Sequence, residues 1–346
     1  MKTILLWTTW YGLRNAFDFG YGPDKFSSCP VPHCQLTDDR NLFNRSAAVV
    51  FQTQVKDWNA ADLPTHRFPH QRFIKYNYEP EIFSVRSIYD STPPHFYNWT
   101  YTHRRDSDIV GFRYGLYRLV PDSLERPAWT GNYEDEESLD DFYGVNITGK
   151  SITAAWFVSH CQTNIGREQY VAELQKYIRV DIYGRCGNLT CYGNEHARDT
   201  CDEKLKRDYL FYLSFENNFC PDYVTEKLFR GFLSETVPVV LGGGHYTRFA
   251  PPHSYINVLD YESPKQLADY LIKLSENRRL YAHYFEWRRH FRMQEKMPID
   301  SWCNLCKMLH DPSLPPKSYE NITKWWFDDY PCDDHGWKKK SFKVAS

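Results

Sequence analysis

Between Tyr209 and Leu233 the chain changes its hydrophobic period once, and the rest can be read outward from that change. Tyr209 to Phe215 (YLFYLSF) is a nearly unbroken run of aromatic and branched residues, the pattern of a buried strand. Asn217, Asn218, Pro221 and Asp222 then interrupt it with residues that start helices. From Tyr223 the period becomes 3.6. Val224, Leu228 and Phe232 form an apolar stripe, and Tyr223, Glu226, Lys227 and Arg230 recur on the opposite side. A helix over 221–233 is expected. Its first turn would offer free N–H groups and a positive dipole end, which suits a phosphate. The other reading of the same residues is a solvated face with a Glu226–Arg230 pair.

Strand and helix patterns alternate around this unit from residue 151. Strands are expected at 152–159, 179–183, 237–241 and 255–259. Helices are expected at 167–178 and from Ser263-Pro264 onward, where Gln266 is placed for a capping box. Repeats of this length imply a parallel sheet covered by helices, a Rossmann-like domain. The first half is less regular. Strands are expected at 2–11, 47–52 and 72–78, with an irregular loop at 17–34 fixed by disulfides through Cys29 and Cys34. Residues 121–150 hold prolines, an acidic run and a sequon, so they read as a linker. The expected division is therefore a domain at 1–150, a second at 151–300 and a terminal segment at 301–346.

Composition narrows the class. At 346 residues the chain can build two domains. A net charge of −2 leaves no basic field for a nucleic-acid partner. Ten cysteines accompany sequons at Asn44, Asn98, Asn146, Asn188 and Asn321, a combination that points to the secretory pathway and to disulfides. No stretch approaches the roughly 20 apolar residues of a membrane span. A targeting or anchoring segment would lie outside these residues.

Other residues carry candidate chemistry. Glu79 follows the third expected strand in an aromatic setting that could raise its pKa toward that of a general base; a surface turn before Pro80 is the alternative. Arg167 opens the helix after the 152–159 strand, where it could meet an anion or simply be solvated. Asp106-Ser107-Asp108 has the spacing of a divalent-metal motif, but Arg104 and Arg105 could pair with these aspartates. Gly242-Gly243-Gly244 permits close backbone approach or a tight turn. Cys303-Asn-Leu-Cys306 has no second CxxC to complete a zinc site.

Phe215-Glu216-Asn217 followed by Tyr223-Val-Thr-Glu-Lys-Leu-Phe229 resembles the donor-binding signature of the α1,3-fucosyltransferases, glycosyltransferase family 10. The resemblance runs from the first strand to the CxxC and implies the α/β GT-B fold, two Rossmann-like domains facing a central cleft, stabilised by disulfides. It implies GDP-fucose as donor, with Ser159, Arg167, Asn217, Tyr223, Thr225, Glu226 and Lys227 binding it. His160 stands where the family's turn carries asparagine, so that position inherits no role. Asn77-Tyr78-Glu79 is similar to the family's Asn-x-Glu, which makes Glu79 the implied catalytic base. The family's closing CxxC is tied to cysteines near the start, for which Cys29 and Cys34 are candidates for Cys303 and Cys306.

The implied reaction is inverting transfer of fucose to O3 of N-acetylglucosamine. Cys29 to Cys34 with Gln35-Leu36-Thr37, and the 167–191 region, look more like enzymes of the innermost N-glycan residue; Lewis-type action on outer lactosamine antennae is the alternative, and a glycan-binding protein without catalysis a further one. No tightly bound cofactor or structural metal is implied. Manganese, if it stimulates, is not assigned to Asp106 and Asp108, and a metal-dependent transferase using them is a rival reading. The implied partner is an N-glycan or glycoprotein, and the implied setting is the Golgi lumen, as a type II membrane protein.

Overall fold

Apolar runs that must be covered on both faces favour parallel pairing, and parallel sheets dominate the computed structural model of the chain, which describes residues 1–9, 20–53, 62–111, 116–119, 139–140, 143–190, 197–294 and 299–333. The chain divides into two units, Met1–Arg113 with Lys296–Cys332, and Tyr114–Glu295 with Asp333–Ser346.

The first unit holds β1 (Lys2–Leu6), β2 (Cys34–Thr37), β3 (Ala48–Gln52), β4 (Arg72–Asn77), β5 (Trp99–Thr102) and β6 (Ile109–Val110). They form one parallel sheet in the order β2-β1-β3-β4-β5-β6. On one face Ile4, Val50, Ile74 and Tyr76 pack under Trp302, which stacks on Tyr76 with ring centroids 5.7 Å apart. On the other, Val49, Phe51 and Phe73 share a core with Trp326. Both covering tryptophans come from the far end of the chain, so this stretch is part of the first unit's core. Cys29–Cys303 and Cys34–Cys306 close the same return covalently. β2 lies where no strand was expected. It is a short edge strand with only alternate residues buried, too brief to carry a visible pattern.

The second unit contains the antiparallel pair β7 (Leu116–Leu119) and β13 (Phe291–Gln294). Its main sheet comprises β8 (Ile152–Phe157), β9 (Val180–Tyr183), β10 (Tyr209–Phe215), β11 (Val237–Leu241) and β12 (Ile256–Asn257). These run parallel in the order β12-β11-β10-β8-β9. Helices Arg167–Leu174 and Pro264–Glu276 contribute Val171, Leu174, Leu267 and Leu271 to its core. Tyr143, Val145 and Ile147 join the same core, and the division between units falls at 113/114 instead of near 150. The expected linker at 121–150 lies largely outside the described residues. Among the described residues no helix is long and apolar enough to cross a membrane.

One expected element starts late. The helix expected at 221–233 spans Glu226–Leu233. Asp222 is left-handed (φ 60°), and the Thr225 backbone N–H donates to a side chain of Glu216 at 2.8 Å. A donor spent on another element and a left-handed residue together keep 221–225 out of the helix.

Candidate active site

In an open parallel sheet, ligands bind beyond the carboxyl ends of the strands, where the strand order reverses. In the second unit that reversal lies between β8 and β10. Val158 to His160 leave β8 there, and Glu216 to Asn218 leave β10. Most of the sequence-predicted donor residues meet at this place.

Arg167 spans it. Its guanidinium donates to the Phe215 carbonyl at 2.6 Å, to the His160 carbonyl at 3.0 Å and to Glu168 Oε1 at 3.4 Å. It is 2% exposed, and burial lowers its pKa from the usual arginine value. Gly166, left-handed at φ 70°, precedes it and turns the chain into the helix. Arg167 therefore joins the two strand ends across the reversal and supplies a fixed positive charge beneath the site. Cys161–Cys186 links the loops after β8 and β9. Ser159, in the first of these loops, is exposed.

Glu216 is the residue that sequence reasoning passed over. Its carboxylate, 1% exposed, directly follows the fully buried strand β10. It accepts from the Thr225 N–H at 2.8 Å, from Thr225 Oγ1 at 2.9 Å and from Lys227 Nζ at 3.0 Å. The signal was present, since a carboxylate closing an apolar run is costly to bury unless it is paired.

Lys227 Nζ also reaches Thr225 Oγ1 at 2.7 Å and Glu226 Oε1 at 3.3 Å. Burial opposes its charge, but Glu216 and Glu226 outweigh burial and hold its pKa above the ordinary lysine value. The ammonium thus stays protonated. Two of its partners are buried, and the third, Glu226, is exposed and more distant. For Glu226, Lys227 and a backbone N–H overcome desolvation and hold the carboxyl below its usual range.

Around this group, Asn217 Oδ1, Asn218 Nδ2 and the Tyr246 hydroxyl are buried without a hydrogen-bond partner among the described residues. Buried polar atoms in native proteins are paired as a rule, so these three call for a partner from outside the described residues, a buried water or a polar ligand group. Tyr223 is buried on the turn between Asn218 and Thr225. A Cβ on Gly243 would come within 2.6 Å of the Cys220 carbonyl, so this glycine admits the chain's own turn.

In the first unit, Glu79 follows β4 and is half-buried. Asn77, fully buried, accepts from the Glu79 backbone N–H at 3.0 Å and donates to Ser84 Oγ at 3.2 Å. Asp106 is taken up by Arg104, in a pair at 2.5 Å, and Asp108 by Lys317, Thr100 and Tyr319. Both aspartates thus serve the protein's own donors.

Of the sequons, Asn44, Asn188 and Asn321 are exposed and Asn146 is half-buried. Asn98 departs from a surface sequon: it is 7% exposed, accepts from the Phe73 N–H and donates to the Lys317 carbonyl. Its amide nitrogen, the atom a glycan would need, is spent inside the fold.

Comparison with known proteins bears on both units. Residues 1–115 match the family model described as fucosyltransferase, N-terminal, and residues 147–325 match that of the glycosyltransferase family 10 (fucosyltransferase) C-terminal region. The chain is 37% identical over 343 residues to alpha-(1,3)-fucosyltransferase C of Drosophila melanogaster, covering 94% of this chain and 78% of that protein. It is 35% identical to glycoprotein 3-alpha-L-fucosyltransferase A of the same organism, covering 98% and 63%. It is 32% identical to human 4-galactosyl-N-acetylglucosaminide 3-alpha-L-fucosyltransferase 9, covering 94% and 82%. A crystal structure of an alpha1,3-fucosyltransferase with GDP-fucose shares the fold, with a TM-score of 0.55, 16% identity and 90% and 91% coverage.

Proposed function

The chain belongs to glycosyltransferase family 10, the fucosyltransferases, as a GDP-fucose-dependent α1,3-fucosyltransferase, and we propose that it transfers L-fucose with inversion from GDP-β-L-fucose to O3 of the innermost N-acetylglucosamine of N-glycans. The observation that carries the donor half is the Glu216–Thr225–Lys227 group beside Arg167 at the strand-order reversal. It provides a lysine held protonated, a second fixed cation and buried polar atoms that lack partners.

In the proposed step, Glu79 takes the proton of the acceptor hydroxyl as its oxygen attacks the anomeric carbon. The bond from that carbon to the GDP oxygen breaks, and the electron pair leaves with the diphosphate. Lys227 stabilises that charge directly, while Arg167 contributes through its fixed field. A stable anionic leaving group needs no general acid. Asn217, Tyr223 and Thr225 would orient the nucleotide sugar, with Glu226 on its ribose or fucosyl group.

The core acceptor draws support from the Drosophila relative named for glycoproteins. The human relative is named for 4-galactosyl-N-acetylglucosaminides and supports lactosamine as the second reading. Exposed Asn44, Asn188 and Asn321 and the disulfides agree with a lumenal Golgi setting, which is part of the proposal.

The test is fucose transfer to a free N-glycan core and to lactosamine, by wild type and Glu79→Gln. Core transfer that falls about a hundredfold in the variant supports acceptor and base together. Transfer to lactosamine alone overturns the acceptor. GDP binding without transfer to either would point to the non-catalytic reading.

A further inference from the structure

Glu79 sits on the turn that follows β4. The strand ends at Asn77, Pro80 follows, and a short 3-10 turn, Glu81–Phe83, leads to Ser84. Asn77 fastens this turn with its side chain, which holds the Glu79 N–H with one atom and Ser84 Oγ with the other. This closes residues 77–84 into a loop that carries Glu79. Ser84 is in turn held by the far end of the chain, because Trp326 Nε1 donates to Ser84 Oγ at 3.1 Å. The Tyr89 hydroxyl lies 3.5 Å from the same oxygen. A serine oxygen accepts two hydrogen bonds, and Asn77 and Trp326 supply both.

Trp326 is well placed to be an anchor. It is fully buried, in the core that contains Phe51 and Phe73. Lys75 Nζ stands 3.2 Å from the centroid of its ring. The neighbouring backbone is fixed as well: Arg104 donates to the Trp325 carbonyl and stacks on Trp325 at 4.1 Å, and Arg86 forks onto Asp328 at 2.9 and 3.0 Å. Backbone bonds from His95 to Tyr319 and from Tyr319 to Tyr97 continue the seam. This fixed segment thus presents the Trp326 N–H to the loop that carries Glu79, and further along the Cys332 backbone N–H donates to Glu81 Oε1 of the same loop at 2.5 Å.

We propose that Trp326 and Ser84 are positioning residues which, through Asn77, set the place of the Glu79 carboxylate. The inference rests on the reading of Glu79 as the base. It predicts a loss in the chemical step with donor binding intact, because the donor group lies in the other unit.

The experiment uses the whole chain with Trp326→Phe, Ser84→Ala, Ser84→Thr and Glu79→Gln. Trp326→Phe keeps an aromatic ring but removes the N–H together with part of the indole's buried volume, so thermal unfolding must accompany it. Ser84→Ala removes only the hydroxyl, and Ser84→Thr keeps it. Fucose transfer gives kcat and the KM for GDP-fucose, calorimetry gives GDP affinity, and thermal unfolding reports folding. The expected result is a kcat lower by about tenfold in Ser84→Ala and somewhat less in Trp326→Phe. KM and GDP affinity should stay within about twofold, and Ser84→Thr should recover most of the rate. If Glu79→Gln collapses transfer while Ser84→Ala and Trp326→Phe keep full kcat, the positioning chain is wrong and the base stands. If Glu79→Gln stays active, both readings fall. A kcat loss accompanied by weakened GDP binding also overturns the proposal, since it would report damage to the fold. Should Trp326→Phe fail to fold, the two serine variants decide.

Discussion

Lys227 Nζ lies 3.0 Å from Glu216 Oε2, joining the first turn of a helix to the end of the strand before it. The pair is nearly dry on the glutamate side, where the side chain is 1% exposed. Removing one member of a buried pair leaves the other charge uncompensated, at about 3–5 kcal/mol. Glu216→Gln should therefore lower stability by an amount of that order and raise the KM for GDP-fucose about tenfold, because Lys227 and Thr225 both lose their anchor. Denaturant unfolding and GDP calorimetry check this. Unchanged values in both would remove Glu216 from the site.

How much of this was legible in the sequence depends on where each cause resides. β10 and β11 match their expected spans residue for residue, because both faces are buried and no competing period is present. The start of the following helix could not be read locally. What withholds Thr225 from that helix is Glu216, a residue of another element, at a distance no periodicity encodes. The domain boundary was misplaced for a similar reason: Tyr143, Val145 and Ile147 look like linker residues until β8 and β10 offer them a core. Most of the residues expected to bind the donor come together because strand, turn and helix are contiguous. The position of Glu79 after a strand was legible, whereas the bond from Trp326 to Ser84 of its loop comes from far along the chain.

Arg167 tests the difference between holding a site together and touching a ligand. Lysine keeps the charge but cannot fork to the carbonyls of Phe215 and His160. Arg167→Lys should cost about 2–3 kcal/mol, the value of a charged hydrogen bond lost from a buried carbonyl. Donor binding should weaken in step with the loosened strand ends. A variant with wild-type stability and lost GDP affinity would instead make Arg167 a direct phosphate ligand.

The two bridges of the first unit should not add. Cys29–Cys303 and Cys34–Cys306 enclose nearly the same loop, with sequence separations of 274 and 272. Once either is formed, the other closes only a ring of about ten residues, so by the loop-entropy relation each single removal costs about 3 kcal/mol. Removing both opens the long loop as well and should cost about 8 kcal/mol, more than the two singles together. Unfolding of Cys29→Ser with Cys303→Ser, of Cys34→Ser with Cys306→Ser, and of all four together measures this. Strict additivity would mean that chain entropy is not the operative term.

Acid stability should be governed in part by His103. This ring is buried, 5.9 Å from Trp326 between centroids, and its pKa is pushed down to about 3 by burial first, then by Lys75 and Arg104. A Tyr78 backbone group works weakly in the other direction. In the unfolded chain the same histidine titrates near 6.5. Between these values the unfolded state binds the proton and the folded state does not, so acid favours unfolding. The contribution is complete above pH 6.5 and is lost progressively as pH falls toward 3. At 1.36 kcal/mol per unit, the loss by pH 5 is on the order of 2 kcal/mol. His103→Phe removes the titration and keeps an aromatic ring against Trp326. Carboxylates elsewhere also titrate in this range, so the informative quantity is the difference between wild type and variant. That difference should shift in favour of the variant as pH drops from 7 to 5. Parallel stability curves across that interval would mean that His103 takes up its proton in the folded protein, and that the Lys75–Arg104 neighbourhood admits water.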